Sequence, residues 1–389
     1  MSRGEVQTAL ALAAVFFMRM MGLFMVLPVL ALYVEHLEAA TPLLIGCALG
    51  IYGLTQASLQ IAFGKWSDRI GRRPVITVGL AIFAFGGLVA AASDHIYAVI
   101  LGRALQGAGA ISGATLALAA DLTRPAQRTK TMAIIGMSIG AAFTISFLVG
   151  PLLDAWFGLR GVFIGGAVLG LGALALLWLV VPVPDAAALP VEAPRGDGRD
   201  TTRELWHLQT GVFFLHMILA ASFVSIPVLL AGELGIAKDQ HFEIYIPVLA
   251  LSVLFIWPLL RSSREQMDRR LFAGAIVCLG IGEALLWTLP AELYAIGIAL
   301  TIFFTGFNYL EALLPSWISR AAPSAQKGSA LGAYATGQFL GTFIGGLAGG
   351  ALAGYAGSRG VFAAAALLCA GWLFYSLRQT ALRAADAPA

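Results

Sequence analysis

Five ionisable side chains lie well inside long apolar segments of this 389-residue chain. They are Arg19, Arg103, His216, Glu283 and Glu311. An ionisable group at membrane depth is costly unless it faces a bundle interior or a water-filled cavity, where it commonly belongs to a proton or substrate pathway. These residues are therefore our candidates for proton coupling, and the chemistry they favour is the transfer of protons or charged solutes.

Glu311 is the first candidate for the coupling acid. It lies nine residues before Arg320, which is roughly 13 Å along a helix from the inner face of the membrane. Burial at that depth disfavours the charged carboxylate, which suits a group that binds and releases protons. The alternative is an acid paired permanently with Arg19 or His216. Glu283 is also buried by its position in an apolar segment.

The composition is that of a membrane protein. Hydrophobic residues make up 59% of the chain and charged residues 12%, whereas soluble domains carry about 25% charged residues. The apolar residues must therefore face lipid. The net charge of +3 is too small to indicate nucleic-acid binding. The three cysteines all lie in apolar segments, which argues against a disulfide or metal framework, and we expect no cofactor and no metal.

Twelve apolar segments are long enough to cross a bilayer, and helices satisfy their backbone groups there whereas open strands do not. The predicted spans are residues 7–33, 41–63, 74–93, 96–120, 131–157, 162–181, 208–232, 243–260, 271–289, 293–318, 329–353 and 361–377. Of the 24 Lys and Arg residues, 19 fall on one side and three on the other, which places both termini in the cytoplasm. The predicted fold class is all-α integral membrane.

The longest polar stretch divides the chain near its middle. We expect an N-terminal six-helix bundle at 1–181, a cytoplasmic linker at 182–207 and a C-terminal six-helix bundle at 208–389. The halves look like copies, because residues 160–163 and 359–362 both read Arg-Gly-Val-Phe at an offset of 199. Duplicated halves predict a pseudo-symmetric fold with a binding site at their interface, near the bilayer midplane.

The loop between the second and third predicted spans has the most specific pattern in the chain. It reads Gly64-Lys-Trp-Ser-Asp68-Arg69-Ile-Gly71-Arg72-Arg73-Pro74. This run resembles the loop 2–3 signature of the major facilitator superfamily, G-x-x-x-D-R-x-G-R-R. The resemblance implies a cytoplasmic gate, with Asp68 near the N-terminal end of helix 11 and Arg72 near an acid on helix 4, where Asp121 stands. The alternative is simple anchoring of a basic loop at the cytoplasmic face.

Two further segments resemble motifs of the same family. The run 101–110 resembles the motif whose arginine is linked to proton coupling, here Arg103; the alternative is a structural arginine tied to backbone carbonyls. Gly150-Pro151 fits the helix 5 antiporter motif, but Ser146, Asp154 and Ala155 depart from it, so helix packing explains the pair equally well. Helix 9 is peripheral in this family, which ranks Glu283 below Glu311.

The resemblance also indicates which side chains face a substrate, because helices 1, 7 and 10 line the cavity in this family. The predicted cavity residues are Phe16, Phe24, Gln106, Phe213, Phe307 and Asn308. Many multidrug exporters place an acid on helix 1 to attract cations. This chain has Arg19 instead, which puts cationic drugs in doubt as substrates.

The resemblance runs from about residue 16 to 377 and narrows to the YajR-type branch of proton-driven efflux (drug:proton antiporter) proteins. It implies a monomer that exports small lipophilic molecules across the bacterial inner membrane by alternating access, coupled to protons. Members of that branch often add a soluble C-terminal domain, which this chain is expected to lack. Open alternatives are a facilitator or importer of a sugar or an anionic metabolite, and a receptor or assembly factor on a transporter scaffold. No enzyme motif appears in the sequence.

Overall fold

Helices account for most of the residues that the computed structural model describes, which are 1–33, 36–124, 127–182, 199–262, 269–322 and 327–385. The α-helices are α1 (Arg3–Phe24), α2 (Pro42–Ile70), α3 (Arg72–Ala91), α4 (Ile96–Ala108), α5 (Ser112–Asp121), α6 (Arg128–Leu179), α7 (Arg199–Gly232), α8 (His241–Ser262), α9 (Arg269–Thr288), α10 (Leu293–Ala321) and α11 (Lys327–Ala385). The predicted all-α membrane fold class is confirmed.

The first helix is shorter at its C-terminal end than the sequence predicted. It begins with a capping box in which Ser2 and Glu5 each accept a hydrogen bond from the other's backbone N–H. It ends at Phe24 rather than near residue 33, and a short 3-10 helix follows at Leu30–Tyr33. Pro28 explains the early end, because proline lacks an N–H donor and disfavours helical geometry in the residue before it.

The predicted span at 96–120 is two helices rather than one. Gly109 has ψ 55°, outside the helical region, so α4 ends at Ala108 and α5 starts at Ser112. The backbones of α3 and of this break lie so close that a Cβ at Gly109 would overlap the carbonyl oxygen of Gly79. The break thus allows α3 to pack closely against it. The Gly109 carbonyl group does not take part in the regular helical hydrogen bonding.

The longest helices, α6 and α11, each consist of two helices joined at one glycine. Gly158 has φ 65° and ψ −172°, and Gly357 has φ 67° and ψ −178°. Glycine is the residue that adopts such positive φ values without steric cost. The two glycines lie at the offset of 199 residues that relates the repeats in the sequence, and their backbone geometry is the same.

Nine segments of the described chain are long and apolar enough to cross a membrane. The joints in α6 and α11 would divide those two segments into four spans, and α4 with α5 would supply one more; the count of twelve stays a prediction. The chain divides into two compact units, Met1–Glu192 and Ala193–Ala389. Most of the predicted linker, residues 183–198, lies outside the described residues.

Each unit is built around a long helix pair. In the first unit, α1 packs along α6, while α3 contacts both α4 and α6. In the second unit, α7 packs along α11, and α9 contacts α10 and α11. A Cβ at Gly345 would overlap the backbone carbonyl of Met217, so α11 and α7 are in direct backbone contact there. These pairs position the polar side chains described next.

Candidate functional site

Glu311 belongs to a polar cluster formed by three helices of the second unit. Its Oε2 atom lies 3.5 Å from Nε2 of His216, on α7. Gln338, on α11, places its amide nitrogen 2.7 Å from His216 Nε2 and 3.5 Å from Glu311 Oε1. The Glu311 side chain is 27% exposed and that of His216 is 8% exposed. The cluster thus joins a partly accessible carboxyl group to a buried imidazole.

The hydrogen bonds of His216 determine which ring nitrogen carries the proton in its neutral form. Nδ1 lies 3.1 Å from the carbonyl oxygen of Val212, which can only accept, so Nδ1 is the donor. Nε2 is then free to accept from the Gln338 amide group. If His216 gains a second proton, Nε2–H faces the Glu311 carboxylate instead. The cluster therefore has two hydrogen-bonding states that differ by one proton.

Other polar and aromatic groups surround this cluster. The rings of His216 and Phe307 meet edge to face, with centroids 5.9 Å apart. The amide group of Asn308, the next residue on α10, donates to the hydroxyl oxygen of Ser252 on α8 at 2.8 Å. The four helices α7, α8, α10 and α11 are thus connected by polar contacts through the α10 face that carries Glu311.

Glu283 occupies a different and more closed position in the same unit. It is fully buried on α9, and the Ser222 hydroxyl group of α7 donates to its Oε1 atom at 2.5 Å. Its second carboxyl oxygen has no hydrogen-bond partner among the described residues. Two acids, one buried and one partly exposed, therefore contact α7, and His216 lies beside Glu311.

Arg103 is fully buried in the first unit and has neutral partners. Its Nε atom donates to the carbonyl oxygen of Ala48 at 3.3 Å, and its Nη1 atom donates to Oε1 of Gln106 at 3.0 Å. The guanidinium group lies 5.1 Å from the ring centroid of Tyr52. This geometry matches the alternative that the sequence left open, an arginine tied to a backbone carbonyl.

Arg19 is the second fully buried arginine of the first unit. Its Nη2 atom donates to Gln56 Oε1 at 2.5 Å and to the Gly109 carbonyl oxygen at 3.2 Å. Its Nη1 atom donates to the Ser112 hydroxyl oxygen at 3.4 Å. Arg19 therefore spans the break between α4 and α5, at the carbonyl end of α4, where partial negative charge accumulates. Its contacts lie within the first unit, whereas Glu311 has His216 as its ionisable neighbour.

The loop between α2 and α3 brings together the residues that the family motif pairs. Arg72 Nε lies 3.1 Å from Asp121 Oδ2 at the end of α5, and Nη1 contacts Asp68. Gly71 makes the turn between the two helices with φ 99°. Arg73 donates to the Leu177 carbonyl oxygen at 2.8 Å, at the end of α6. Two further motif residues, Gly64 and Arg69, lie on the last turns of α2, and the Arg69 side chain is exposed.

Sequence reasoning missed a second ion pair at this end of the first unit. Glu5 accepts two hydrogen bonds from the Arg124 guanidinium group, at 2.8 and 2.9 Å, which joins the start of α1 to the end of α5. These bonds raise the pKa of Arg124, because the carboxylate favours the charged guanidinium. The signal in the sequence was the capping-box spacing of Ser2 and Glu5, which also holds the carboxylate in place. With Arg72 and Asp121, this pair ties α5 to both α1 and α3.

The helix 5 motif has a packing role in the structure. A Cβ at Gly150 would lie 2.5 Å from the carbonyl oxygen of Met25, so this glycine allows α6 to approach the chain after α1. Pro151 follows it inside α6. Asp154, which departs from the family pattern, accepts a hydrogen bond of 2.5 Å from Tyr33.

Three of the six predicted cavity residues are buried in this structure. Phe16 and Phe307 are 2% exposed and Gln106 is 0% exposed, so in this conformation they contact other side chains rather than open space. Packing covers these three side chains in this conformation and Gln106 is hydrogen-bonded to Arg103, and their role in lining a cavity stays a prediction. The remaining predicted cavity residues are partly exposed and stay predictions. They are Phe24, Phe213 and Asn308.

Apolar helices in two units, with polar clusters inside each, define a multi-pass membrane transporter. The family model "Major Facilitator Superfamily" matches residues 12–342, and the chain belongs to this family. Inner membrane transport protein YajR of Escherichia coli K12 is 42% identical over 96% of this chain and 83% of its own length. Multidrug resistance protein MdtH of Aeromonas hydrophila is 29% identical over 87% of this chain and 86% of its own.

Solved structures agree with this assignment at the level of the fold. A bacterial homologue of the human lysosomal transporter Spinster, in an inward-facing and occupied conformation, superposes with a TM-score of 0.76. The match covers 95% of this chain and 96% of that one, at 14% identity. Membership of this superfamily, whose members are membrane transporters rather than enzymes, and the relationship to YajR make this chain a multi-pass transporter of small molecules in the inner membrane.

Proposed function

We propose that this protein exports small lipophilic molecules across the bacterial inner membrane in exchange for protons, by alternating access. Glu311 is the proton carrier, and His216 and Gln338 respond to its charge. The chain works as a monomer with both termini in the cytoplasm. Its relationship to YajR supports transport at the inner membrane, and the more distant multidrug resistance proteins favour export.

The observation that carries this proposal is the placement of Glu311 beside His216. A carboxylate attracts a protonated imidazole 3.5 Å away, so the deprotonated acid holds α10 against α7. When Glu311 takes up a proton from outside, its negative charge and this attraction are lost, and a His216 that releases its own second proton accepts from the Gln338 amide group instead. Protonation of one partly exposed carboxyl group thereby changes the contacts among three helices of one unit.

The ion pairs between α5 and its neighbours act at the cytoplasmic side in the proposed transport cycle. The pairs Arg72–Asp121 and Arg124–Glu5 fix the end of α5 against α3 and α1. Breaking them releases α5, which the break at residues 109–111 already separates from α4. We assign these pairs to the gate of the first unit.

Transport in proteoliposomes under an imposed pH gradient tests the proposal. The probes are the neutral dye Nile red and radiolabelled cinnamate, with an uncoupler as the reference for zero gradient. We expect Glu311→Gln to reduce gradient-driven transport at least about tenfold, because the amide group cannot exchange a proton. Glu292→Gln is the matched control, since Glu292 is an exposed acid just before the start of the same helix. Parent-like transport by Glu311→Gln would show that the acid is assigned wrongly.

The alternative is a facilitator or importer of an anionic metabolite or sugar. The buried cations Arg19 and Arg103 are the observation that favours an anion. Transport of either probe that persists at full rate after the uncoupler collapses the gradient would support this alternative over proton coupling.

A further inference from the structure

The positive charge of Arg19 is buried without a counter-charge in the part of the chain that the structure describes. Its side chain is 0% exposed. The ion pairs among the described residues involve other arginines and His216, and none of them includes Arg19. An ionised group in a low-dielectric interior is costly unless a group of opposite charge joins it. A ligand that supplies the missing negative charge would remove that cost.

The hydrogen bonds of Arg19 leave room for one more acceptor. The guanidinium group has five N–H donors, and its described partners are the neutral oxygens of Gln56, Gly109 and Ser112. Its Nε atom is buried and has no hydrogen-bond partner. A carboxylate binds a guanidinium group with two parallel hydrogen bonds, and Nε with an adjacent Nη atom is one of the two edges that can form them.

The groups around Arg19 indicate the rest of the ligand. The guanidinium carbon lies 5.8 Å from the ring centroid of Tyr52 and 5.9 Å from that of Phe83, so aromatic surfaces flank the charge. Arg103 lies over the same Tyr52 ring, which adds a second positive charge to this region. Positive potential beside aromatic rings favours an anion that also carries an apolar body.

The polar partners of Arg19 lie on an interrupted part of the fold. The Gly109 carbonyl and the Ser112 hydroxyl group both belong to the break between α4 and α5, and α5 is only ten residues long. Gln56 Oε1, which accepts from Arg19, also accepts from the Tyr52 hydroxyl group at 3.4 Å, and Gln56 Nε2 donates to Gln60 at 3.4 Å, so both ends of the amide group keep a partner if it leaves Arg19. Movement of α5 would therefore open Arg19 without leaving Gln56 unpaired.

We propose that Arg19 binds the negative charge of the transported molecule, and that the substrate class is lipophilic organic anions such as aromatic carboxylates. This inference rests on the transport function proposed above and names its substrate class. In the structure, neutral oxygens occupy the site in place of the anion. The charge on Arg19 then selects against the lipophilic cations that an acid at this place would attract.

Thermal unfolding of the purified full chain in detergent, followed by tryptophan fluorescence, tests the site at equilibrium. The probes are cinnamate, its neutral analogue cinnamamide, and chloride. Cinnamate should raise the unfolding temperature by about 3 °C or more at saturation, whereas cinnamamide should not. A chloride shift as large as the cinnamate shift would assign the site to an inorganic ion and overturn the substrate class. Equal shifts with cinnamate and cinnamamide would overturn the site itself.

Two variants test whether the cinnamate-induced rise in unfolding temperature depends on Arg19. Arg19→Gln removes the charge and should abolish the cinnamate shift. Gln56→Glu places a carboxylate where an oxygen already lies 2.5 Å from Arg19, so it should fold stably and also abolish the shift. This second variant keeps the proposal falsifiable if Arg19→Gln does not fold. A full cinnamate shift in Gln56→Glu would contradict the proposal.

Arg160→Gln is the control for the loss of an arginine. Arg160 is more than half exposed and pairs with Asp94 at the end of α3, so its loss should leave the cinnamate shift unchanged. Because no pH gradient is present, this measurement is independent of Glu311. A normal cinnamate shift together with failed gradient-driven transport would refute proton coupling alone. Gradient-driven transport without a cinnamate shift would refute the anion site alone.

Discussion

The two units differ in the ionisable side chains that lie deep in their apolar helices. The first unit encloses Arg19 and Arg103, while the second encloses Glu283 and contains Glu311 beside His216. Arginine stays protonated in proteins, so the first unit contributes fixed positive charge. Carboxyl and imidazole groups gain and lose protons, so the second unit contributes charge that can change. The two proposed roles, binding of a charged substrate and exchange of protons, therefore fall on separate units of one chain.

Arg103 provides the largest expected effect on stability. Arg103→Ala should lower the free energy of unfolding by about 3 kcal/mol, because it leaves a cavity and removes the hydrogen bonds to the Ala48 carbonyl oxygen and the Gln106 amide oxygen. Unfolding in mixed micelles titrated with sodium dodecyl sulfate measures this change. Arg103→Lys keeps the charge but loses the planar fork, so it should recover less than half of the stability. Parent-like stability of Arg103→Ala would mean that the first unit keeps this charge for function alone.

Helix backbones are in direct contact in both units, so a larger side chain at such a contact should lower the free energy of unfolding. Gly345→Leu should cost about 2 kcal/mol, because the new side chain meets the Met217 carbonyl group of α7. Gly297→Ala is the control, since a Cβ there meets no atom within 4 Å; the change should be neutral or slightly stabilising. The same titration compares them, and equal costs would refute close contact between α7 and α11.

Glu283 provides the smallest expected effect, and its variant distinguishes the role of this buried acid from that of the partly exposed Glu311. Glu283→Gln keeps the oxygen that accepts from Ser222, so stability should change by about 1 kcal/mol or less. Gradient-driven transport of the probes should stay within about twofold of the parent, because Glu283 is closed off and has no imidazole beside it. A tenfold loss in this variant, with parent-like transport by Glu311→Gln, would move the proton carrier from α10 to α9.

The membrane fold and part of the gate could be predicted from local patterns. Apolar segments must be helices in a bilayer, and the sequence offset of 199 pointed to the repeat in which Gly158 and Gly357 later showed the same geometry. The loop motif indicated that Arg72 would meet an acid at the position of Asp121, and the structure places them 3.1 Å apart. Glu311 could be singled out because a charged residue in a long apolar segment is conspicuous.

The partners of these residues could not be predicted in the same way. Gln338, Gln56 and Arg124 are far in sequence from Glu311, Arg19 and Glu5, and many helix rotations would be compatible with the apolar pattern. The break at Gly109 depends on the distance between α4 and α3, and the burial of Phe16 and Gln106 depends on which helix faces cover them. The sequence by itself determined that helices cross a membrane and carry charges inside it, since lipid cannot solvate backbone or ionised groups. Only the tertiary structure decided which neutral or charged group satisfies each buried charge, because that choice depends on how the helices pack.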